Sequence, residues 1–320
     1  MDRAALLLLA QIADAVIGDP DVLWRRVSHP VVWVGRMIAM LDHFWNRETD
    51  PPSRRRLWGG GALISVLLAA AVIGVLITAL AHRLGVVGWV IEVAVVAILL
   101  AQRSLYQHVA AVADGLTRDG LAGGRAAVAR IVGRDPESLD TAGVCRAAIE
   151  SAAENFSDGV VAPAFWYLLG GLPALLAYKA LNTADSMIGH RTERYRAFGW
   201  ATARLDDLAN WVPARVSAGL VVLAAWFQAD ADPTAAWWAV RRDANHHRSP
   251  NAGWPEAAFA GALGLRLAGP RRYGESMVED AWMGDGRAEA TAEDIRRALS
   301  LFGGSCTVLA GIATLLIVIA

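Results

Sequence analysis

Two long apolar stretches without a charged residue constrain the fold of this chain more than any other feature. They occupy residues 61–81 and 300–320, and each is about 20 residues long, the length at which a helix crosses roughly 30 Å of hydrocarbon. A helix satisfies its own backbone hydrogen bonds where water is absent, so it is the favoured form in a bilayer. The chain is therefore predicted to be an integral membrane protein.

Three further apolar stretches are interrupted by polar or helix-breaking residues. Residues 86–101 carry Glu92 and are predicted to span the membrane beside a helix that covers this carboxylate. Residues 159–181 contain Gly-Gly-x-Pro at 170–173, and residues 212–229 begin beside Pro213. Because such residues break helices, both stretches are predicted to be broken or re-entrant.

The predicted fold class is all-α: a polytopic integral membrane protein with about four to six membrane helices, some broken or re-entrant, and polar cytoplasmic loops. One membrane-embedded domain is predicted over residues 1–320. The composition agrees, with 55% hydrophobic residues and a mean hydropathy of +0.35. Residues 4–17 are apolar but short. They are interpreted as part of the folded chain, and a cleavable signal peptide is the alternative interpretation. The net charge of -1 provides no general basic surface, so nucleic acid is not an expected partner.

Arginines indicate which segments face the cytoplasm. The segment between residues 17 and 61 is rich in arginine and includes the run Arg54-Arg55-Arg56, so it is predicted to lie inside. If 159–181 and 212–229 both span, the polar segment 182–210 lies outside; if neither fully spans, it stays inside. The helix-breaking residues favour the second topology.

An acidic repeat precedes the first broken stretch. Glu150, Glu154 and Asp158 recur every four residues, which on a helix forms one acidic stripe, and Asn155 lies beside it. Like charges at this spacing repel one another unless a cation or basic group lies among them. The alternative is a solvated acidic face.

Polar residues also follow the first broken stretch. Asn182, Asp185 and Ser186 share one helical face, and an Asn/Asp pair of this kind can hold Mg²⁺ through oxygen ligands. A helix cap is the alternative for this cluster, because Asn and Asp near helix ends often satisfy backbone groups.

The densest charge follows directly after this cluster. Arg191, Arg194 and Arg196 lead into the sequence RLDDLAN at 204–210, where Arg204 and Asp207 are three residues apart. Carboxylates beside arginines are suited to holding a metal-bound polyphosphate during phosphoryl transfer. Ordinary intrahelical salt bridges are the alternative.

A rigid Pro- and Gly-rich loop, SPNAGWPE at 249–256, could present Asn251 to a ligand. A purely structural turn is the alternative. The sequence contains no G-x-x-x-x-G-K-[ST] phosphate loop and no dinucleotide-binding G-x-G-x-x-G after a strand, so nucleotide chemistry requires an unusual site.

Together these motifs resemble the membrane-bound cobinamide synthase family of cobalamin biosynthesis. The resemblance covers nearly the whole chain, although residues 103–150 are too generic to contribute. It rests on five ordered motifs: DAVIGDP (14–20) with SHPVVWVGR (28–36), ENFSDGVVAPAFW (154–166), YKALNTADSMIGH (178–190), FGWATARLDDLANWVPAR (198–215) and SPNAGWPEAAFAGALG (249–264).

The resemblance implies a carbon–nitrogen ligase that uses ATP and Mg²⁺. Members of this family attach aminopropanol, or its phosphate, to a propionate carboxyl of cobyric acid and so produce cobinamide or its phosphate. The implied location is the cell (inner) membrane, with several spans and a cytoplasmic active face. The implied partners are the corrinoid and the amine substrate, and assembly as a homo-oligomer or with other cobalamin-pathway enzymes is left open.

Roles for individual residues are hypotheses built on this resemblance. Asp185, Asp206 and Asp207 are expected to hold Mg²⁺–ATP, and Arg204 and Arg215 to contact its phosphates. Other expected roles are an ammonium- or proton-binding role for Glu154, reception of the aminopropanol phosphate by Arg191 and Arg196, and substrate contacts from Asn155, Asp158, Asn182 and Asn251.

Two other classes of function compete with the ligase. Broken helices beside polar residues are also typical of membrane transporters, and AmpE-like membrane sensors are distantly similar. The missing inverted repeat argues against a transporter, and the pair Asp206-Asp207 together with the ENFSDG motif favours an active site.

Overall fold

The computed structural model describes residues 2–18, 24, 26, 28–133, 135–273, 276–278 and 280–319, with backbone alone at 271–273 and 276–278. Asp19 and Pro20 of the first motif, and Arg25 of the arginine-rich segment, lie outside the described residues. The predictions made for them therefore stay predictions.

The described chain is almost entirely helical, as the sequence predicted. The helices are α1 (Arg3–Ile17), α2 (Pro30–Trp45), α3 (Pro52–Leu84), α4 (Val86–Leu99), α5 (Gln102–Val128), α6 (Thr141–Phe156), α7 (Ala162–Ile188), α8 (Trp200–Ala209), α9 (Trp211–Ala225), α10 (Pro233–Asp243), α11 (Gly253–Leu263) and α12 (Ala292–Ile319). The short strands are β1 (Leu267–Ala268), β2 (Arg271–Tyr273), β3 (Ser276–Val278) and β4 (Trp282–Met283).

The chain divides into two compact units. Unit 1 contains Met1–Leu100 and Ala162–Asn210, and unit 2 contains Ala101–Val161 and Trp211–Ala320. Each unit therefore combines two separate stretches of sequence. The predicted single domain stays a prediction, because compact units of one chain can fold together or independently.

Within the described residues, four helical segments are long and apolar enough to cross a membrane, which confirms the predicted multi-span architecture. They are Pro52–Leu84, Val86–Val128, Thr141–Ile188 and Ala292–Ile319. A fifth candidate is the pair α8 and α9, which is bent at Asn210 as a broken span or a re-entrant loop would be.

The predicted break in the 159–181 stretch lies within α7. Gly171 adopts φ 66° and ψ −156°, a left-handed backbone that interrupts the helix, and Pro173 follows inside it. Pro173 has no N–H to donate to the carbonyl of Leu169, four residues earlier. The guanidinium of Arg3 donates to that oxygen at 2.9 Å and to the oxygen of Leu168 at 3.3 Å. A side chain from α1 thus satisfies carbonyls near the break.

The Glu92 carboxylate is covered by a neighbouring helix, as predicted. The hydroxyl of Tyr167 on α7 donates to Oε1 of Glu92 at 2.8 Å, and both side chains are buried. This bond supplies the polar partner that a carboxylate needs in an apolar stretch.

Unit 1 packs α3 closely against the segment that leads into α8. A core cluster includes Val66 of α3, Ala184 of α7 and Phe198. Gly59 lies directly against the backbone of Phe198, and a Cβ atom at Gly59 would overlap that residue's carbonyl oxygen. The absence of a side chain at Gly59 therefore allows this close approach.

In unit 2, buried carboxylates hold the small strands. Oε1 of Glu150 on α6 accepts from the N–H of Ala268 in β1 at 2.9 Å, and Oδ2 of Asp243 accepts from the N–H of Gly284 at 2.8 Å. β1 pairs antiparallel with β4, and β2 pairs antiparallel with β3.

Candidate functional site

Helices α7 and α8 bring the two predicted polar clusters of unit 1 together. Tyr178 and Asn182 lie one turn apart on α7, and Asp206 lies near the end of α8, just before Asn210. The Tyr178 hydroxyl donates to Oδ1 of Asn210 at 2.8 Å, and Nδ2 of Asn210 donates to Oδ2 of Asp206 at 3.0 Å. A chain of hydrogen bonds therefore fixes one oxygen of Asp206.

The other oxygen of Asp206 is the notable group of this cluster. Asp206 is only 9% exposed, and its Oδ1 is buried and receives no hydrogen bond of normal geometry from the described residues. The amide of Asn182 faces this carboxylate, and the carboxylate of Asp185 is close enough to repel it. Buried charge of one sign is costly unless a cation or a proton compensates it.

Asp207 lies in a different environment from Asp206. Its Oδ2 is 3.8 Å from Nη1 of Arg204, and Arg191 also attracts its carboxylate. Successive residues of a helix point about 100° apart, which is why the two adjacent aspartates separate. Among the described residues, no group of three His, Cys, Asp or Glu side chains is arranged to hold a metal ion. The carboxylates of Asp206 and Asp207 are both near that of Asp185, and Asp207 is close enough to repel it.

A cavity of about 280 Å³ opens beside Asp207. Four arginines line it, three of them predicted as ligand-binding residues, together with His190 and a single carboxylate. The lining arginines are Arg56, Arg191, Arg196 and Arg204. This excess of positive charge suits a multiply charged anion such as a polyphosphate.

Arg194, the remaining arginine of the 191–196 run, does not line the cavity and instead pairs with carboxylates of the protein. Its Nη2 lies 2.8 Å from Oδ2 of Asp42, and its Nη1 lies 3.4 Å from Oε1 of Glu48. The hydrogen bond to Asp42 raises the pKa of the Arg194 guanidinium above its ordinary value. Arg194 therefore anchors the segment between its two cavity-lining neighbours.

In unit 2, the structure brings together two predicted ligand-binding residues, Arg215 and Asn251. The Arg215 guanidinium lies between the rings of Trp211 and Trp254, 4.2 Å and 4.3 Å from their centroids. Its Nη1 donates to the carbonyl oxygen of Trp211 at 2.6 Å and to Oδ1 of Asn251 at 3.4 Å. These two aromatic contacts and the hydrogen bonds hold the guanidinium beside Asn251, and its remaining N–H groups suit an anion.

The predicted continuous acidic stripe is wrong in its geometry. Helix α6 ends at Phe156, and Ser157–Val161 form a π-helical turn that contains Asp158. This wider turn interrupts the four-residue repeat after Glu154. Glu150 is also buried against β1, whereas Glu154 is exposed.

Asn155 is exposed, and its Nδ2 donates to the carbonyl oxygen of Ser151 at 2.9 Å. The predicted substrate contacts of Glu154, Asn155 and Asp158 remain predictions. Ser186, on the predicted face of α7, is exposed and donates to the carbonyl oxygen of Asn182 at 2.9 Å.

Several residues of the candidate site were not predicted from the sequence. In the sequence, Arg56 indicates only which side of the membrane its segment faces, and no spacing marks His190 at the end of the YKALNTADSMIGH motif. Tyr178 and Asn210 lie within recognised motifs, but no local spacing links them. Asn210 lies beside Asp206 because it follows four residues later in the chain, whereas the position of Tyr178 beside Asn210 depends on the packing of α7 against α8.

Comparison with known proteins gives consistent results over nearly the whole chain. The model of the CobD/Cbib protein family matches residues 7–302. The cobalamin biosynthesis protein CobD of Rhizobium meliloti (strain 1021) is 53% identical over 306 residues, which are 95% of this chain and 94% of that protein. The protein of the same name from Brucella suis biovar 1 is 51% identical over 312 residues, covering 97% of this chain and 95% of that protein.

A more distant relative gives the same result. The cobalamin biosynthesis protein CobD of Rhodobacter capsulatus is 48% identical over 308 residues, covering 94% of this chain and 93% of that protein. No solved structure matches the chain.

Proposed function

The chain belongs to the CobD/CbiB family, and we propose that it joins aminopropanol, or its phosphate, to a propionate carboxyl of cobyric acid in a reaction that consumes ATP. Membership agrees with the resemblance that the five ordered motifs indicated. The names of the relatives support a role in cobalamin biosynthesis and do not favour a transporter or a sensor. The observation that carries the reaction type is the cavity lined by four arginines and Asp207.

The proposed chemistry has two steps. A carboxylate oxygen of cobyric acid attacks the γ-phosphorus of ATP, the bond to the bridging oxygen breaks, and ADP leaves as an acyl phosphate forms. The amine nitrogen then attacks the acyl carbon and loses a proton to a base, the carbon–oxygen bond breaks, and inorganic phosphate leaves as the amide forms. Positively charged groups stabilise the charge that shifts between these phosphate oxygens.

The cavity of unit 1 suggests a single occupant for several predicted residues. The hypotheses built on the family resemblance place the aminopropanol phosphate at Arg191 and Arg196, and ATP at Arg204. Because all three line one cavity, the triphosphate of ATP is the simpler occupant. Arg215 with Asn251 is then proposed for a further anionic group of a substrate, and Glu154 for the ammonium of the amine or its proton.

The residues around Asp206 fit a Mg²⁺ ion in their chemistry. Asp185, Asp206 and Asn182 provide oxygen atoms, which Mg²⁺ prefers, and the unsatisfied Oδ1 of Asp206 is a ready ligand. When bound, Mg²⁺ would neutralise charge on the ATP phosphates. Phosphate oxygens and water would complete its coordination shell.

Purified full-length protein in detergent micelles tests this function. Cobyric acid labelled with ¹⁸O in its carboxyl group, ATP, Mg²⁺ and either aminopropanol or its phosphate are the reactants. We expect a corrinoid amide, ADP, and inorganic phosphate that carries one ¹⁸O atom from the carboxylate. Failure to form the amide with either amine would refute the proposal, and unlabelled phosphate would refute the acyl phosphate step.

Matched variants link the activity to the cavity. Arg196→Ala removes a lining guanidinium, and Arg54→Ala removes an arginine that instead pairs with Asp50 at the surface. We expect the first variant to raise the KM for ATP by about tenfold or more, as loss of a charged hydrogen bond does, and the second to leave it unchanged. We propose that this site lies on the cytoplasmic face of the membrane, where it can contact ATP.

A further inference from the structure

The run Arg54-Arg55-Arg56 at the start of α3 places three adjacent guanidinium groups in three different environments. Arg54 is exposed and lies 3.2 Å from Oδ1 of Asp50. Arg55 is buried, with 8% exposure. Arg56 lines the anion cavity, and its guanidinium lies 5.8 Å from the centroid of the Trp200 ring. The helical rotation of about 100° per residue separates these directions.

Arg55 connects α2 to the segment that carries the cavity arginines. Its Nε donates to Oδ1 of Asn46 at 2.8 Å, and its Nη2 donates to the carbonyl oxygen of Arg194. Nδ2 of Asn46 donates to Oδ1 of Asp42 at 2.7 Å and also contacts the Arg194 carbonyl oxygen at 3.3 Å. One peptide group between Arg191 and Arg196 is therefore held by two buried side chains.

The same network also holds the side chain of Arg194. Oδ2 of Asp42 accepts from Nη2 of Arg194 at 2.8 Å and from the hydroxyl of Tyr195 at 3.4 Å. Asp42, Asn46 and Arg55 are each at most 8% exposed. A buried polar network in which each member has partners rigidifies the backbone that it joins.

We propose that Arg55 and Arg56 complete the anion cavity: Arg56 binds phosphate oxygens directly, and Arg55 positions the 191–196 segment that supplies two further guanidinium groups. This inference rests on the proposed polyphosphate occupant of the cavity. It assigns Arg56 as a binding residue and Arg55 as a positioning residue. The expected ligand class is a polyphosphate, bound through its charged oxygens.

Binding of inorganic tripolyphosphate to the purified full-length protein, without metal, tests the Arg56 assignment by calorimetry. We expect Arg56→Ala to weaken binding by about 10- to 100-fold, the effect of losing a charged hydrogen bond. Arg54→Ala is the matched control because its guanidinium pairs with Asp50 outside the cavity, and its affinity should match that of the unmodified protein. Unchanged binding by Arg56→Ala, or an equal loss in Arg54→Ala, would overturn the assignment.

Trypsin cleavage within residues 191–196 tests the positioning role of Arg55. Arg55→Ala should speed this cleavage several-fold, weaken tripolyphosphate binding, and raise the KM for ATP more than it lowers kcat. Arg55→Lys should be intermediate, because lysine keeps the charge but lacks the planar fork that reaches two acceptors. If Arg55→Ala does not fold, Arg55→Lys carries the test. If a folded Arg55 variant shows unchanged trypsin cleavage and unchanged affinity for tripolyphosphate, Arg55 has no positioning role.

The two proposals fail in different ways. If Arg56→Ala loses tripolyphosphate binding but the unmodified protein makes no corrinoid amide, the anion site stands and the ligase function is rejected. If the amide forms normally and Arg56→Ala binds tripolyphosphate unchanged, only the assignment of Arg56 is rejected.

Discussion

Replacing Asp206 by asparagine should stabilise the metal-free protein while it removes the response to Mg²⁺. In the structure, one oxygen of Asp206 accepts from Asn210, and the other is buried, faces the amide of Asn182 and receives no hydrogen bond of normal geometry from the described residues. Asparagine keeps the first interaction through its carbonyl oxygen. Its amide group also replaces the unsatisfied oxygen with a donor, which suits the nearby side chains of Asn182 and Asp185.

The size of the effect follows from two contributions. A buried polar atom without a partner costs about 1–3 kcal/mol, and the repulsion between Asp185 and Asp206 adds to this cost. A gain of about 1 kcal/mol raises the Tm of a domain of 150–250 residues by roughly 2–4 °C. Asp206→Asn should therefore unfold several degrees higher than the unmodified protein in EDTA.

Mg²⁺ should reverse this order of thermal stability, so that the unmodified protein unfolds at a higher temperature than Asp206→Asn. A ligand at 100 times its Kd stabilises the folded state by about 2.7 kcal/mol. The unmodified protein should gain this amount with Mg²⁺ and a non-hydrolysable ATP analogue, whereas Asp206→Asn should gain little and should not form the corrinoid amide. Thermal unfolding in detergent, followed by tryptophan fluorescence with EDTA or with Mg²⁺, measures both effects.

The adjacent aspartate supplies the control. Asp207 lies beside Arg204 at the cavity and is less buried than Asp206, so Asp207→Asn relieves less buried charge and should raise the Tm in EDTA less than Asp206→Asn does. The reasoning is refuted if Asp206→Asn is less stable than the unmodified protein in EDTA, or if Mg²⁺ stabilises both equally.

Three further outcomes are expected. Gly59→Ala should destabilise unit 1 by about 1–3 kcal/mol through overpacking, whereas Gly60→Ala, whose Cβ meets open space, should not; equal Tm values would contradict this packing. Tyr167→Phe leaves the buried Glu92 without its hydroxyl donor and should cost about 1–3 kcal/mol in denaturant unfolding, and an unchanged midpoint would count against that bond. A cysteine at Thr192 should react with an impermeant maleimide only from the cytoplasmic side; labelling from the opposite side would exclude the preferred topology.

The lengths of the apolar stretches and the positions of helix-breaking residues predicted the helical architecture, because both are local features of the sequence. Each of the features used can be recognised within one short segment. They are the uncharged stretches of bilayer length, the Gly-Gly-x-Pro break and the position of Glu92. The break in α7 and the covered Glu92 were found as predicted. The small paired strands between α11 and α12 were not predicted, since each is only two or three residues long.

The candidate site was predicted only in part, because sequence patterns report local features and the site also depends on contacts between distant segments. The segment 182–210 was predicted from its clustered charged residues, and three of its arginines line one cavity. The acidic stripe failed because a π-helical turn interrupts the repeat at Asp158, and nothing in the sequence pattern marks that turn.

Composition and short ordered motifs were enough to predict the membrane helices, the family and the chemical character of the polar segments, because each of these depends on residues that are close together in the chain. Tertiary structure alone decided that Asp206 is buried and Asp207 faces arginines, and that Arg55 supports the segment beside which Arg56 lies. Arg55 contacts the carbonyl oxygen of a residue 139 positions away. Contacts between residues so far apart in the chain depend on how the helices pack, and local residue spacing does not predict them.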